Sequence, residues 1–331
     1  MARLHSGLAT LLLAAAAAVA KDVVYHWDIG YVTANPDGLM ERRVIGVNGA
    51  WPPPELHATV NDTLVVEVRN SLDEPTTLHA HGLFHNGTNY MDGPHMVTQC
   101  GIPPGANMTY RYEVAQTGTF WIHSHYSAQY VDGIRSPLIL HNPSEPHKYD
   151  EEIVLPLADW YHSGASGLLK EFLSWRNPGG AEPVPNGALI GNVGGNTTKR
   201  LAFTPGKTYR IRLLNMSALA MFHFSIDGHT MRVIEIDGVD TEPREVGNVR
   251  LAAAQRMSVL VTALDSTDRN YVFHADMDTD MFDNVPATLN YNSTGLIEYR
   301  ADAEVQPAGD VDWSPFNDIE LVPLVKAAAL R

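Results

Sequence analysis

Short runs of alternating apolar and polar residues, bounded by Gly, Pro, Asn and Asp, recur along the chain, and they come in two copies. Leu64, Val66 and Val68 alternate with Val65, Glu67 and Arg69 until Asn70 ends the run. At an offset of 145 residues, Tyr209, Ile211 and Leu213 alternate with Arg210 and Arg212 until Asn215 ends that one. His79-Ala80-His81 then falls opposite His223-Phe224-Ser225. Phe120-Trp121-Ile122-His123-Ser124-His125 falls opposite Tyr271-Val272-Phe273-His274-Ala275-Asp276. Period-2 alternation sends one side of each strand into a core, so a repeat of this length predicts an all-β chain of two successive sandwiches. Their expected extents are 21–146 and 147–305, divided after the turn-rich Asn142-Pro143-Ser144-Glu145-Pro146. One helix is expected from about Gly167 to Trp175, ended by Asn177-Pro178-Gly179-Gly180. Residues 306–331 carry no third strand set and read as the start of a linker to another segment.

The N-terminus reads as a secretory leader. Arg3 precedes an apolar stretch from Leu8 to Val19, which ends in the small-x-small pattern Ala18-Val19-Ala20, so residues 1–20 are expected to be removed. The apolar stretch is short for a membrane span. Six Asn-x-Ser/Thr sequons, at Asn61, Asn86, Asn107, Asn196, Asn215 and Asn292, suit a secreted or cell-surface glycoprotein. In that oxidising setting the single cysteine, Cys100, implies a partner elsewhere or an inert buried thiol. The formal charge of −15, from 38 acidic and 23 basic residues, argues against a nucleic-acid partner, which needs a basic face.

Chemistry enters with the histidines. His79 with His81, and His123 with His125, have i, i+2 spacing on expected strands, which puts both imidazoles of a pair on one face. Two such strands side by side aim four nitrogens into one space, and imidazole suits copper and zinc. One His-x-His alone is a weak signal; two, with Gly82 after the first and Gly118-Thr119-Phe120-Trp121 before the second, are far more specific. The second copy keeps one histidine of each pair and has Ser225 and Asp276 in place of the others, so His223 and His274 read as structural. A cupin site also opens with His-x-His, but it wants a glutamate soon after, and Leu83-Phe84-His85-Asn86 supplies none. Composition alone leaves open four histidines around a single zinc.

These motifs, together with Met91-Asp92-Gly93 and Thr98-Gln99-Cys100 before Pro103-Pro104-Gly105, resemble the first domain of the multicopper oxidases. The likeness runs from about Tyr25 to the C-terminus. It implies cupredoxin-like domains of Greek-key topology, and an enzyme whose type 1 copper takes electrons from substrate and passes them to a trinuclear cluster of one type 2 and two type 3 coppers. There dioxygen takes up four electrons and becomes water. By the same likeness His79 binds the type 2 copper, His81, His123 and His125 bind the type 3 pair, and Asp92 assists protonation. Asp92 as a plain turn cap is the other reading of that residue. The likeness implies four further histidines and the type 1 cysteine on a third domain, in His-Pro-x-His-x-His-Gly and His-Cys-His strands, and neither motif occurs in this sequence. It also implies a distant cysteine partner for Cys100. The chain is thus expected to lack a third domain, to hold half of the trinuclear ligands, and to be inactive alone.

Within that family, Gly180-Ala181-Glu182-Pro183 resembles a ferroxidase segment whose glutamate binds ferrous ion. Asp276-Met277-Asp278-Thr279-Asp280-Met281-Phe282-Asp283-Asn284-Val285-Pro286 resembles the acidic loop completing the iron path, with Asp283 at the matching position. Leu157-Ala158-Asp159-Trp160-Tyr161-His162 and Val233-Ile234-Glu235-Ile236-Asp237-Gly238 match the same branch. The resemblance implies oxidation of Fe(II) by dioxygen for iron uptake, with ferric ion handed to a membrane permease. Two rivals stand beside it: a laccase oxidising phenols, and a secreted copper-binding protein without catalysis. Ser136 departs from the family's usual glycine, which predicts strain in a turn behind the His123 strand.

Overall fold

The computed structural model describes residues 20–309, 313–314 and 316–325; the expected leader lies outside them but for Ala20. The first copy of the repeat forms β1 (Asp22–Ala34), β2 (Arg42–Val47), β3 (Leu56–Thr59), β4 (Thr63–Asn70), β5 (His79–His81), β6 (Asn107–Glu113), β7 (Gly118–His123) and β8 (Arg135–His141). They make two four-stranded sheets, ordered β2-β1-β4-β6 and β3-β8-β7-β5. The second copy forms β9 (Glu151–Trp160), β10 (Gly187–Ile190), β11 (Val193–Gly194), β12 (Arg200–Ala202), β13 (Thr208–Asn215), β14 (Phe222–Ile226), β15 (Met231–Ile236), β16 (Val239–Val246), β17 (Val249–Leu251), β18 (Arg256–Thr262), β19 (Arg269–Met277), β20 (Thr294–Glu298) and β21 (Glu304–Val305). Its sheets run β11-β10-β9-β13-β18-β15-β16 and β12-β20-β19-β14-β17, with β21 beside β19.

The repeat is visible in the pairing. In the first sandwich β1 lies parallel to β4 and β3 parallel to β8; in the second β9 lies parallel to β13 and β12 parallel to β20. The architecture is the expected all-β pair of cupredoxin-like sandwiches. Alternation fills the cores: Leu64, Val66 and Val68 join Trp27, Phe120 and Leu138 in one, and Tyr209, Ile211 and Leu213 join Phe222, Phe224 and Phe273 in the other.

The polar positions of β13 do not reach solvent. Arg210 and Arg212 are as buried as the core residues between them. Their guanidinium groups sit where the two sandwiches meet, with Arg210 on Glu145 and Glu235 (2.9 and 2.8 Å) and Arg212 on Glu152 (2.7 Å). A charge removed from water needs such partners. Apolar contacts also cross the junction: Val44 of β2 packs with Ala158, Trp160 and Leu189, and Trp121 of β7 packs with Leu214 and Met216.

The helix α1 spans Ala165–Phe172, two residues earlier at its start than expected and three shorter at its end. Asp132 of the first sandwich explains the start, because its carboxylate accepts from the Ala165 N–H at 3.0 Å and satisfies a donor that a helix N-terminus leaves open. The described part of the expected linker packs back on the second sandwich. Glu242 N–H donates to Val322 O, Leu324 N–H to Asp240 O, and Asn248 Nδ2 to Ser314 O. Ser136 produces no strained turn. It lies within β8 opposite Ile122, and its hydroxyl donates to Pro54 O at 2.7 Å.

Candidate metal centre

The short strand β5 lies antiparallel to β7, which puts His79 directly across from His123 and His81 across from Trp121. The imidazoles meet at one end of the sheet. His79 has its ring centroid 5.4 Å from His81, 5.3 Å from His123 and 5.4 Å from His125, each close to edge-on. Ligand atoms of His79, His81 and His123 all fall within 4.8 Å of one another. His125 is placed differently from the sequence expectation: it lies two residues beyond the end of β7, exposed, with its ring stacked 5.8 Å from His123.

The surroundings decide which nitrogen each ring offers. The Nδ1–H of His123 donates to Ser124 O at 2.8 Å, which leaves Nε2 as the lone-pair atom; Nε2 is buried and has no hydrogen-bond partner among the described residues. A buried acceptor without a partner is costly unless a cation or donor meets it. His79 repeats the arrangement, with Nδ1–H donating to Asp92 O at 2.8 Å. Burial lowers the basicity of His79, brings His81 down to about 4 and holds His123 well below the usual histidine range. The rings are therefore neutral at physiological pH, the form that binds a metal. Trp121 walls the cluster, its ring 4.0 Å from His123 and 5.2 Å from His81. Neutral, converging imidazoles, with a bare Nε2 on His123, fit copper or another borderline transition metal.

Asp92 reaches this cluster through the Met91-Asp92-Gly93 turn. Gly93 has φ +101, and a Cβ there would overlap the Leu78 carbonyl at the base of β5, so only glycine lets the turn lie this close. The Asp92 carboxylate is not a turn cap. Oδ1 stands 3.1 Å from His79 Nδ1 and 3.3 Å from His85 Nε2, bridging the two rings. His85 is a neighbour that sequence reasoning misses, since the absence of a glutamate in Leu83-Phe84-His85-Asn86 says nothing of its histidine. The available signal is a third histidine within a few residues of His79-Ala80-His81.

The remaining predicted residues lie apart. Glu182 is exposed and borders an apolar cavity of about 200 Å³ lined by Tyr130, Tyr161, Leu168 and Phe172. Asp283 is exposed in the turn that follows the short 3-10 segment Thr279–Met281. Neither makes a hydrogen bond or ion pair with the four histidines among the described residues. Cys100 is exposed, which removes the buried-thiol reading. In the second sandwich the cross-strand partner of His223 is Asp276, whereas Ser225 faces His274. The likeness of Phe120–His125 to Tyr271–Asp276 is therefore shifted by two residues in the ladder, since His79 faces His123.

A multicopper oxidase family model matches residues 28–145 and a second one matches residues 151–302. The chain belongs to the multicopper oxidase family. An iron transport multicopper oxidase (fetC) of Epichloe festucae is 46% identical over 325 residues, covering 97% of this chain and 52% of the relative. The Schizosaccharomyces pombe iron transport multicopper oxidase fio1 is 43% identical over 323 residues, covering 96% and 51%. The chain thus spans about half the length of the curated relatives it matches. Among solved structures, Fet3p, described as a multicopper oxidase that functions in iron import, superposes with TM-score 0.90 at 35% identity, over 94% of this chain and 59% of that one. A laccase from Botrytis aclada superposes with TM-score 0.79 at 31% identity, over 88% and 55%.

Proposed function

We propose that this chain supplies the first two cupredoxin-like domains of a secreted or cell-surface ferroxidase. In that role His79, His81, His123 and His125 form half of the ligand set for the oxygen-reducing copper cluster. The observation that carries the reading is the convergence of these imidazoles, with a buried, partnerless Nε2 on His123, in a chain similar to iron transport oxidases over nearly its full length. Bound copper supplies one-electron chemistry that couples oxidation of four ferrous ions to reduction of dioxygen to water. The chain's own part is to hold neutral imidazoles in register, to set the His79 ring through Asp92, and to keep His123 dry behind Trp121. Glu182 and Asp283 are carboxylates suited to ferrous ion and to stabilising ferric product. A membrane permease as the receiver of ferric ion, secretion after removal of residues 1–20, the division at 146/147 and the need for a third domain belong to the same proposal. No helix among the described residues is long and apolar enough to cross a membrane.

Sequencing the native transcript past the codon for Arg331 tests the reading first. It is expected to run into His-Pro-x-His-x-His-Gly and His-Cys-His strands; a stop codon there removes the enzyme reading for this product. Oxygen uptake by the encoded protein with ferrous ion, set against a methoxyphenol, then separates iron from phenols. Glu182→Ala and Asp283→Ala are expected to raise KM for iron and leave phenol turnover unchanged, and equal effects on both substrates refute the iron assignment.

A further inference from the structure

The second sandwich carries, on the face that corresponds to the copper-binding face of the first, a buried set of donors that no fold requirement uses. His223 and Ser225 of β14 stand across from Asp276 and His274 of β19, so the pleat puts all four side chains on one face. Side chains of Asp227 and Asp278, at the ends of the same two strands, flank them: Asp278 Oδ2 is 3.5 Å from His223 Nε2 and Asp227 Oδ1 is 3.3 Å from His274 Nε2. Three inner atoms are buried and have no hydrogen-bond or ion-pair partner among the described residues: His223 Nδ1, Ser225 Oγ and Asp276 Oδ1. Ser225, His274 and Asp276 are each more than nine-tenths buried. Trp313 closes the face, its ring 5.2 Å from His223 and 6.1 Å from His274.

Such a cluster is out of keeping with a purely structural role. Buried polar groups in folded proteins are nearly always paired, and three orphans on one patch mark a missing partner. The donor set names its chemistry. Two imidazoles and one carboxylate select a divalent first-row transition ion over the all-oxygen choice of calcium or magnesium. His223 also shows the outer arrangement of a metal ligand, with one ring nitrogen toward a carboxylate and the other left bare.

We propose that His223, His274 and Asp276, with Ser225 beside them, form a second metal site that binds one divalent first-row transition cation, such as zinc or ferrous iron, beneath Trp313. The site is separate from the His79–His123 cluster.

Titration of the whole chain with Zn2+ by calorimetry tests this, with His123→Ala, Asp276→Asn and His274→Gln as variants. One zinc equivalent is expected to survive His123→Ala and to weaken at least tenfold in Asp276→Asn and in His274→Gln. Binding of that equivalent is expected to change indole emission, and the change is expected to vanish in Trp313→Phe. Zinc binding that is identical in Asp276→Asn and the unsubstituted chain, or lost entirely with His123→Ala, overturns the proposal. Should the variants fail to fold, anomalous scattering from zinc-soaked crystals of the unsubstituted chain decides. A peak between His223 and Asp276 supports the site, and peaks confined to the first cluster refute it.

Discussion

Glu235 of the second sandwich and Thr119 of the first satisfy each other's polar groups across the junction. Oε1 accepts the Thr119 N–H at 2.6 Å, and Oε2 accepts the Thr119 hydroxyl at 3.0 Å. Both residues are fully buried. Arg256 completes the hold by donating from Nε to Thr119 O at 3.0 Å, and Arg212 donates to the Thr119 hydroxyl at 2.9 Å. Thr119 lies on β7 four residues before His123, so the second sandwich grips the strand that carries His123 into the histidine cluster. Gly118 has no room for a side chain, because a Cβ there would press on the Glu235 carboxylate.

Removing that carboxylate leaves Arg210 and Arg212 buried with less counter-charge. Glu235→Ala is expected to destabilise the chain by about 3–5 kcal/mol, the usual cost of breaking a buried ion pair on one side. Glu235→Gln keeps an oxygen for the Thr119 N–H and is expected to cost less. Urea denaturation midpoints of the three chains check the order, and a Glu235→Ala midpoint equal to the unsubstituted chain contradicts it.

Acid should find the same junction. Burial by itself would raise the Glu235 carboxyl, but Arg210 and Arg212, with the Ser258 hydroxyl and the Thr119 N–H, outweigh it and hold it down to about 2. A carboxyl lowered from 4.5 to about 2 contributes its full stabilisation above the unfolded value and loses it as pH falls from about 4.5 toward 2. The contribution is on the order of 3 kcal/mol, at about 1.4 kcal/mol for each tenfold change in proton affinity. Stability measured between pH 6 and about pH 2 is expected to decline over the lower part of that range, and Glu235→Gln should flatten the decline.

Asp92 touches the histidine cluster without entering it, and its two contacts to His79 differ in kind. The backbone carbonyl takes the Nδ1–H at 2.8 Å and survives any substitution of the side chain. The carboxylate adds a second contact at 3.1 Å. Residues that orient a ligand usually change metal affinity by about 10–100-fold. Because the carbonyl remains, Asp92→Ala is expected at the lower end, about tenfold weaker Cu2+ binding, with His123→Ala weakening it far more. Competition titration of Cu2+ against a chelator measures both, and equal losses in the two variants would contradict the division of labour.

The strand repeat and the histidine cluster are legible in the sequence because both depend on period-2 alternation, which β5, β7 and β13 keep. Contacts between the sandwiches are not. Arg210 and Arg212 read as the solvent side of a strand, and only the packing of β13 beside β7 turns that side inward. The start of α1 depends on Asp132, far away in sequence. His274 and Asp276 align by motif two residues out of register, since ladder register is set by pairing partners rather than by the similarity of short motifs.

Asn70 and Asn215 close equivalent strands, and their side chains repeat one hydrogen-bond pattern. Asn70 Nδ2 donates to Glu74 O and Ile102 O while Oδ1 accepts from Leu72 N–H; Asn215 Nδ2 donates to Ala220 O and Leu251 O while Oδ1 accepts from Ser217 N–H. Asn215 heads one of the six sequons, yet it is only 1% exposed, and its amide nitrogen is fully engaged. The other five sequon asparagines are exposed. Glycopeptide mapping of the chain expressed through a secretory host is therefore expected to find no glycan on Asn215, with occupancy confined to Asn61, Asn86, Asn107, Asn196 and Asn292. Asn215→Ala strands the Ala220 and Leu251 carbonyls and the Ser217 N–H and is expected to cost about 2–4 kcal/mol by thermal or urea unfolding. Asn107→Ala, at an exposed sequon, should stay within about 0.5 kcal/mol of the unsubstituted chain. A glycan found on Asn215 of the folded protein would mean that the β13 terminus is not packed as described.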